Sequence, residues 1–89
     1  MSKKEKLRLK LYKVPAPKDF TWDELVTLMR QAGFKESCEG GSHYTFEHES
    51  GYRFGMSKTH PTGLLKRYQI DDAKTALETV RTADGEENE

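Results

Sequence analysis

Cysteine is almost missing from this chain: Cys38 is the only one in 89 residues. A lone thiol excludes an internal disulfide and fits a reducing, cytoplasmic setting. Without placed partners it reads as a small apolar residue. Long apolar runs are missing too. No stretch approaches the roughly 18 residues that a membrane-spanning helix needs, so none is predicted. The basic N-terminus has no uninterrupted apolar segment, which argues against a secretory signal. Net charge is nil, with 15 Lys and Arg against 15 Asp and Glu, and only 34% of residues are apolar. A chain of this size and composition supports one domain with one small core.

What charge there is lies unevenly. Residues 1–18 carry seven Lys or Arg and a single Glu, whereas residues 70–89 carry two basic and seven acidic residues. The middle is close to neutral. This pattern divides the chain into a basic N-terminal arm over 1–17, a folded domain over 18–81 and an acidic, disordered tail over 82–89. The arm has the charge to touch phosphate, or it is simply a solvated terminus. Within it, residues 6–14 alternate apolar and basic side chains, so Leu7, Leu9 and Leu11 share one face of an extended segment. That predicts an edge strand or a docked arm, ended by Pro15 and Pro17.

A helix is predicted from Trp22 to Ala32. Thr21 followed by Glu24 makes a capping box. Asp23 and Glu24 suit the positive end of the helix dipole. Trp22, Leu25, Val26 and Met29 form an apolar stripe, and Gly33 can take the left-handed cap. Three short strands follow: Phe34 to Glu39, Tyr44 to His48 and Tyr52 to Met56. Gly51 supplies a turn between the last two. A final helix runs from about Arg67 to Arg81, with Ile70, Ala73, Leu77 and Val80 as its seam. The expected class is α+β: two helices covering one face of a three-stranded antiparallel sheet.

The segment Gly40-Gly41-Ser42-His43-Tyr44-Thr45-Phe46 carries the clearest chemical signal. A Gly-Gly turn feeds a strand whose alternation sends Tyr44 and Phe46 to one face, and His43 and Thr45 to the other. The aromatic face belongs to the core, so His43 and Glu47 lie on the open face. Imidazole, with an ordinary pKa of about 6.5, suits proton transfer near neutrality. A strand histidine in an arbitrary protein is more often a plain surface residue. Placement of His43 and His48 on opposite faces, with one Cys and no close ligand pair, argues against a zinc site. Ser42 points away from its neighbour His43, so this pair makes no nucleophile and base. His48 falls on the aromatic face as a partly buried strand-end residue.

Three segments together resemble the HicA family of toxin–antitoxin toxins. They are Pro17-Lys18-Asp19-Phe20-Thr21-Trp22-Asp23-Glu24-Leu25; Gly33-Phe34 with Gly41-Ser42-His43-Tyr44 and Phe46; and His60-Pro61 with Leu65-Lys66-Arg67-Tyr68-Gln69-Ile70 and Leu77. The resemblance spans about residues 17–80. It implies a fold similar to a double-stranded-RNA-binding domain. It also implies metal-independent cleavage of mRNA that halts translation, with no cofactor, and a HicB-type antitoxin as partner. By position His43 takes the catalytic role, and His60 matches a loop histidine of the family.

The residue types suit that chemistry. RNA carries its own nucleophile, the 2′-hydroxyl, so a general base, charge stabilisation at the phosphate and a proton for the leaving oxygen suffice. Lys58 and Arg53, with His60, are the candidate RNA-binding groups. One departure stands out: Glu36, Glu39, Glu47 and Glu49 crowd the sheet. A non-catalytic RNA-binding or antitoxin-docking module on the same fold is the alternative reading.

Overall fold

The computed structural model describes residues 3–59 and 62–83. Six elements follow in order: α1 (Lys3–Leu11), α2 (Trp22–Gln31), β1 (Phe34–Gly40), β2 (His43–His48), β3 (Arg53–Ser57) and α3 (Arg67–Ala83). The strands form one antiparallel sheet in the order β1-β2-β3. The chain is therefore α+β, as its periodicities predict, with one helix more than expected.

That extra helix corrects the reading of residues 6–14 as extended. Lys, Leu, Arg and Glu are all good helix formers, and the segment contains no β-branched or aromatic residue before Tyr12. Alternation of leucine with lysine imitated a strand. The choice is made by Leu7 and Leu11, which lie four apart and share a helix face. Leu11 is fully buried and Leu7 packs beside it, while Leu9 points away and is 59% exposed. The Lys10 ammonium holds the Glu24 carboxylate of α2 at 2.9 Å, and the Tyr12 hydroxyl donates to Glu78 of α3 at 3.1 Å. The basic segment is thus fastened to the helical layer.

α2 begins as its sequence dictates. The Thr21 hydroxyl accepts from the Glu24 N–H at 3.1 Å, and Glu24 accepts from the Thr21 N–H at 3.0 Å. Removing such a cap costs about 1 kcal/mol. Gly33 ends the helix at φ +97°, where a Cβ would come within 3.0 Å of the His48 ring. Trp22, Leu25, Leu28 and Met29 are buried, and Trp22 tilts against Tyr44 and Phe46 of β2. Phe46 stacks on Phe54, and Phe34 meets both Phe54 and His48. The aromatic face of the sheet is therefore its core face. α3 adds Ile70, Ala73, Ala76, Leu77 and Val80 to the same core. It extends past the expected end at Arg81 to Ala83; residues 84–89 of the predicted acidic tail lie outside the described residues.

His48 is more deeply buried than a strand-end residue would be, at 3% exposure. Its Nδ1 accepts from the Ser50 N–H at 3.0 Å, which folds the β2–β3 connection back on itself. Two further ties close the domain. Thr21 and Leu64 form an isolated antiparallel bridge, and flanking bonds run from Trp22 N–H to Gly63 O and from Leu65 N–H to Phe20 O. Among the described residues no helix is long and apolar enough to cross a membrane.

Candidate functional site

Pairing between the strands sorts the open face into three rungs. Lys35, Glu47 and Arg53 make the first; Ser37, Thr45 and Gly55 the second; Gly40, His43 and Ser57 the third. Side chains alternate across a strand, so these residues oppose the aromatic core face. The middle rung is built of small groups, with no side chain at all at Gly55. It leaves a low floor between a charged end and the end that carries His43.

His43 is exposed at the first position of β2, straight after the Gly41-Ser42 connection. Its Nδ1 lies 3.3 Å from the Ser57 hydroxyl on β3. When Nδ1–H donates to that hydroxyl oxygen, Nε2 keeps its lone pair. This is the tautomer a general base requires. Just beyond, the Lys58 N–H donates to Ser42 O at 2.8 Å and fixes the start of the next loop against the His43 turn.

The sequence-predicted site residues are not all brought together. Lys58 follows Ser57 directly and lies at the His43 end. Arg53 pairs with Glu47, four residues along β2 from His43, which puts it about 13 Å away at the usual strand rise. It belongs to the far end of the face. His60, with Pro61, lies outside the described residues.

Among the acidic residues of the sheet, Glu36 is paired with a cation. Glu36 projects from the core face of β1 and receives two bonds from the Arg30 guanidinium, one of them from Nε at 3.0 Å. That pairing holds the Glu36 carboxyl below the usual carboxylate range. Glu47 stands between Lys35 and Arg53 in its rung. Glu39 accepts from the Ser37 hydroxyl at 3.0 Å. Among the described residues no group of three or more His, Cys, Asp or Glu side chains could hold a metal ion.

Two contributors escaped the sequence reading. Ser57 is one; its place opposite His43 follows from the register set by the β2–β3 turn, and counting from that turn would have found it. Gln69 is the other. Only 1% exposed, it accepts from the Lys66 N–H at 2.9 Å and donates from Nε2 to Ser57 O at 2.8 Å. It does the work of the N3 glutamine of a capping box, but the cap residue is Lys66 rather than Ser or Thr, so the sequence signal is hidden. Gln69 thus ties the start of α3 to the strand end that holds His43. Around this junction lies a cleft of about 190 Å³ lined by Ser57, Lys58, Thr59, Lys66, Tyr68 and Gln69.

No family model, curated protein or solved structure matches the chain.

Proposed function

We propose that this chain is a small endoribonuclease that cuts single-stranded mRNA, with His43 as its general base. The observation that carries the proposal is the exposed imidazole whose Nδ1 lies 3.3 Å from the Ser57 hydroxyl, Ser57 being also part of the wall of a cleft lined by Lys58 and Lys66. On this reading Nε2 takes the proton of a 2′-hydroxyl as its oxygen attacks the adjacent phosphorus. Lys58 lowers the energy of the charge that gathers on the phosphate. Water or His60 returns a proton to the departing 5′-oxygen. The nucleophile comes from the substrate, so this scheme needs no metal.

The resemblance to HicA toxins adds the biological setting. It supplies the reading of the α+β fold as a relative of the double-stranded-RNA-binding domain, the toxin role, and a HicB-type antitoxin that covers the open face. The alternative, a non-catalytic RNA-binding or antitoxin-docking module, has one observation in its favour. The His43 rung is completed by Gly40 and Ser57, neither a good proton donor to an alkoxide.

The test is expression and cleavage with wild type and His43→Ala. Wild type should arrest growth and cut RNA in the presence of a chelator, leaving 2′,3′-cyclic phosphate or 3′-phosphate ends. His43→Ala should lose cleavage by about 10²–10⁴-fold. Its stability should change by less than about 0.5 kcal/mol, since the side chain is exposed. Equal cleavage by the two proteins, or 3′-hydroxyl products that vanish with chelator, would refute the mechanism.

A further inference from the structure

We infer that the cleft beside His43 seats the nucleotide next to the scissile phosphate, with its base stacked on Tyr68 and its phosphate held by Lys58 and Lys66. The inference rests on the nuclease reading above and names the groups that hold its substrate.

Tyr68 is the starting point. It stands in the first turn of α3, and its side chain is 58% exposed, whereas Tyr12, Tyr44 and Tyr52 are all partly buried against the core. Its ring stacks on no other aromatic among the described residues. An aromatic ring left uncovered on a polar surface is costly to hydrate and offers a flat face for a base.

The lysines supply the second part. Lys10 is engaged with Glu24 and Asp19, but Lys58 and Lys66 have no ion-pair partner among the described residues. Both line the same cleft as Tyr68. Two unneutralised ammonium groups beside an exposed ring are the combination that binds single-stranded nucleic acid: charge tracks the backbone and the ring takes a base.

Ser57 joins this cleft to the catalytic candidate. Its hydroxyl bonds to His43 Nδ1, and the same residue forms part of the cleft wall. Ser57 is thus the residue that the cleft and the His43 contact share. Gln69 fixes the geometry by binding Ser57 O and the Lys66 N–H with a single buried amide. A base must leave its helix to stack on the ring, so the cleft selects single strands over duplexes.

The experiment measures anisotropy of a fluorescein-labelled single-stranded RNA of about 12 nucleotides. Its 2′-hydroxyls are methylated so that it cannot be cut, and the full-length chain is titrated at several salt concentrations. Tyr68→Ala should weaken binding about 5- to 150-fold and leave the log–log salt slope unchanged. Tyr68→Phe should bind like wild type. Lys58→Ala combined with Lys66→Ala should reduce the slope by about 1.4. Thermal melts serve as the folding control, and the exposed Tyr68 should leave them unmoved. Tyr68→Ala binding within about twofold of wild type, while wild type still cuts RNA, overturns this inference alone. So does equal wild-type affinity for the same sequence as a duplex. A wild type that neither binds nor cuts RNA overturns the nuclease reading and the cleft assignment with it.

Discussion

Replacing Gln69 by alanine removes two part-buried hydrogen bonds at once. Nε2 donates to Ser57 O at 2.8 Å and Oε1 accepts from the Lys66 N–H at 2.9 Å, with the side chain 1% exposed. Each buried backbone group left unpaired costs about 1–3 kcal/mol. Lys66 and Ser57 are both exposed, so water satisfies part of the demand on each side. The expected loss for Gln69→Ala is therefore about 2 kcal/mol, a sizeable fraction of the total stability of a domain this size, about 4–13 kcal/mol. In melting temperature that is a fall of about 8–16 °C. Gln69→Glu makes the test sharper. It keeps the acceptor for Lys66 but turns a donor into an acceptor facing the Ser57 carbonyl. Burial raises the folded pKa of such a carboxyl above its unfolded value. The penalty is then largest above the folded pKa and shrinks as pH falls through it, because the protonated acid can donate to Ser57 O. Trp22, the only tryptophan and buried against Tyr44 and Phe46, reports unfolding in urea. The observable is the difference from wild type at each pH: flat for Gln69→Ala, narrowing towards acid for Gln69→Glu. A Gln69→Ala midpoint within about 0.5 kcal/mol of wild type would refute the reasoning.

Gly33→Ala forces a side chain into left-handed backbone and brings its Cβ within 3.0 Å of His48 Nε2, so a loss of about 2–3 kcal/mol is expected. In a His48→Ala background the clash is gone and the same change should cost about 1 kcal/mol, which a double-mutant cycle in urea measures. Partial burial opposes ionisation of Glu24, but the Thr21 N–H and the Lys10 ammonium outweigh it and leave its pKa lowered. Its contribution is therefore complete above the unfolded value of about 4.3 and is lost as pH falls through the folded one. The stability gap between wild type and Glu24→Gln should be widest at neutral pH and close in acid, as urea midpoints across that range will register.

Sequence reading succeeded where one local rule and the tertiary demand agreed. Thr21 and Glu24 started α2 because nothing competes with their reciprocal bonds. The alternation of Tyr44, Phe46 and His48 marked the core face because the sheet is covered on one side only, which also placed His43 on the open face. It failed where two periods fitted the same residues. Leu7, Leu9 and Leu11 satisfy a strand, while Leu7 and Leu11 alone satisfy a helix; burial of Leu11 against the helical layer decided the matter, and such burial has no local signature. Gln69 was hidden for a related reason. Its role depends on the carbonyl of Ser57, twelve residues earlier. The separation of Arg53 from His43 likewise emerges only once register is known.

The segment between β3 and α3 is anchored at both of its ends. Lys58 is tied to Ser42, the Thr59 hydroxyl donates to Leu64 O at 2.8 Å, and Leu64 and Leu65 are bridged to the residues that start α2. These ties are made at residues 58–59 and 63–65. Doubling the length of a flexible loop costs only about 0.6 kcal/mol in closure entropy. Between those anchors this scaffold can accept inserted residues without disturbing its core.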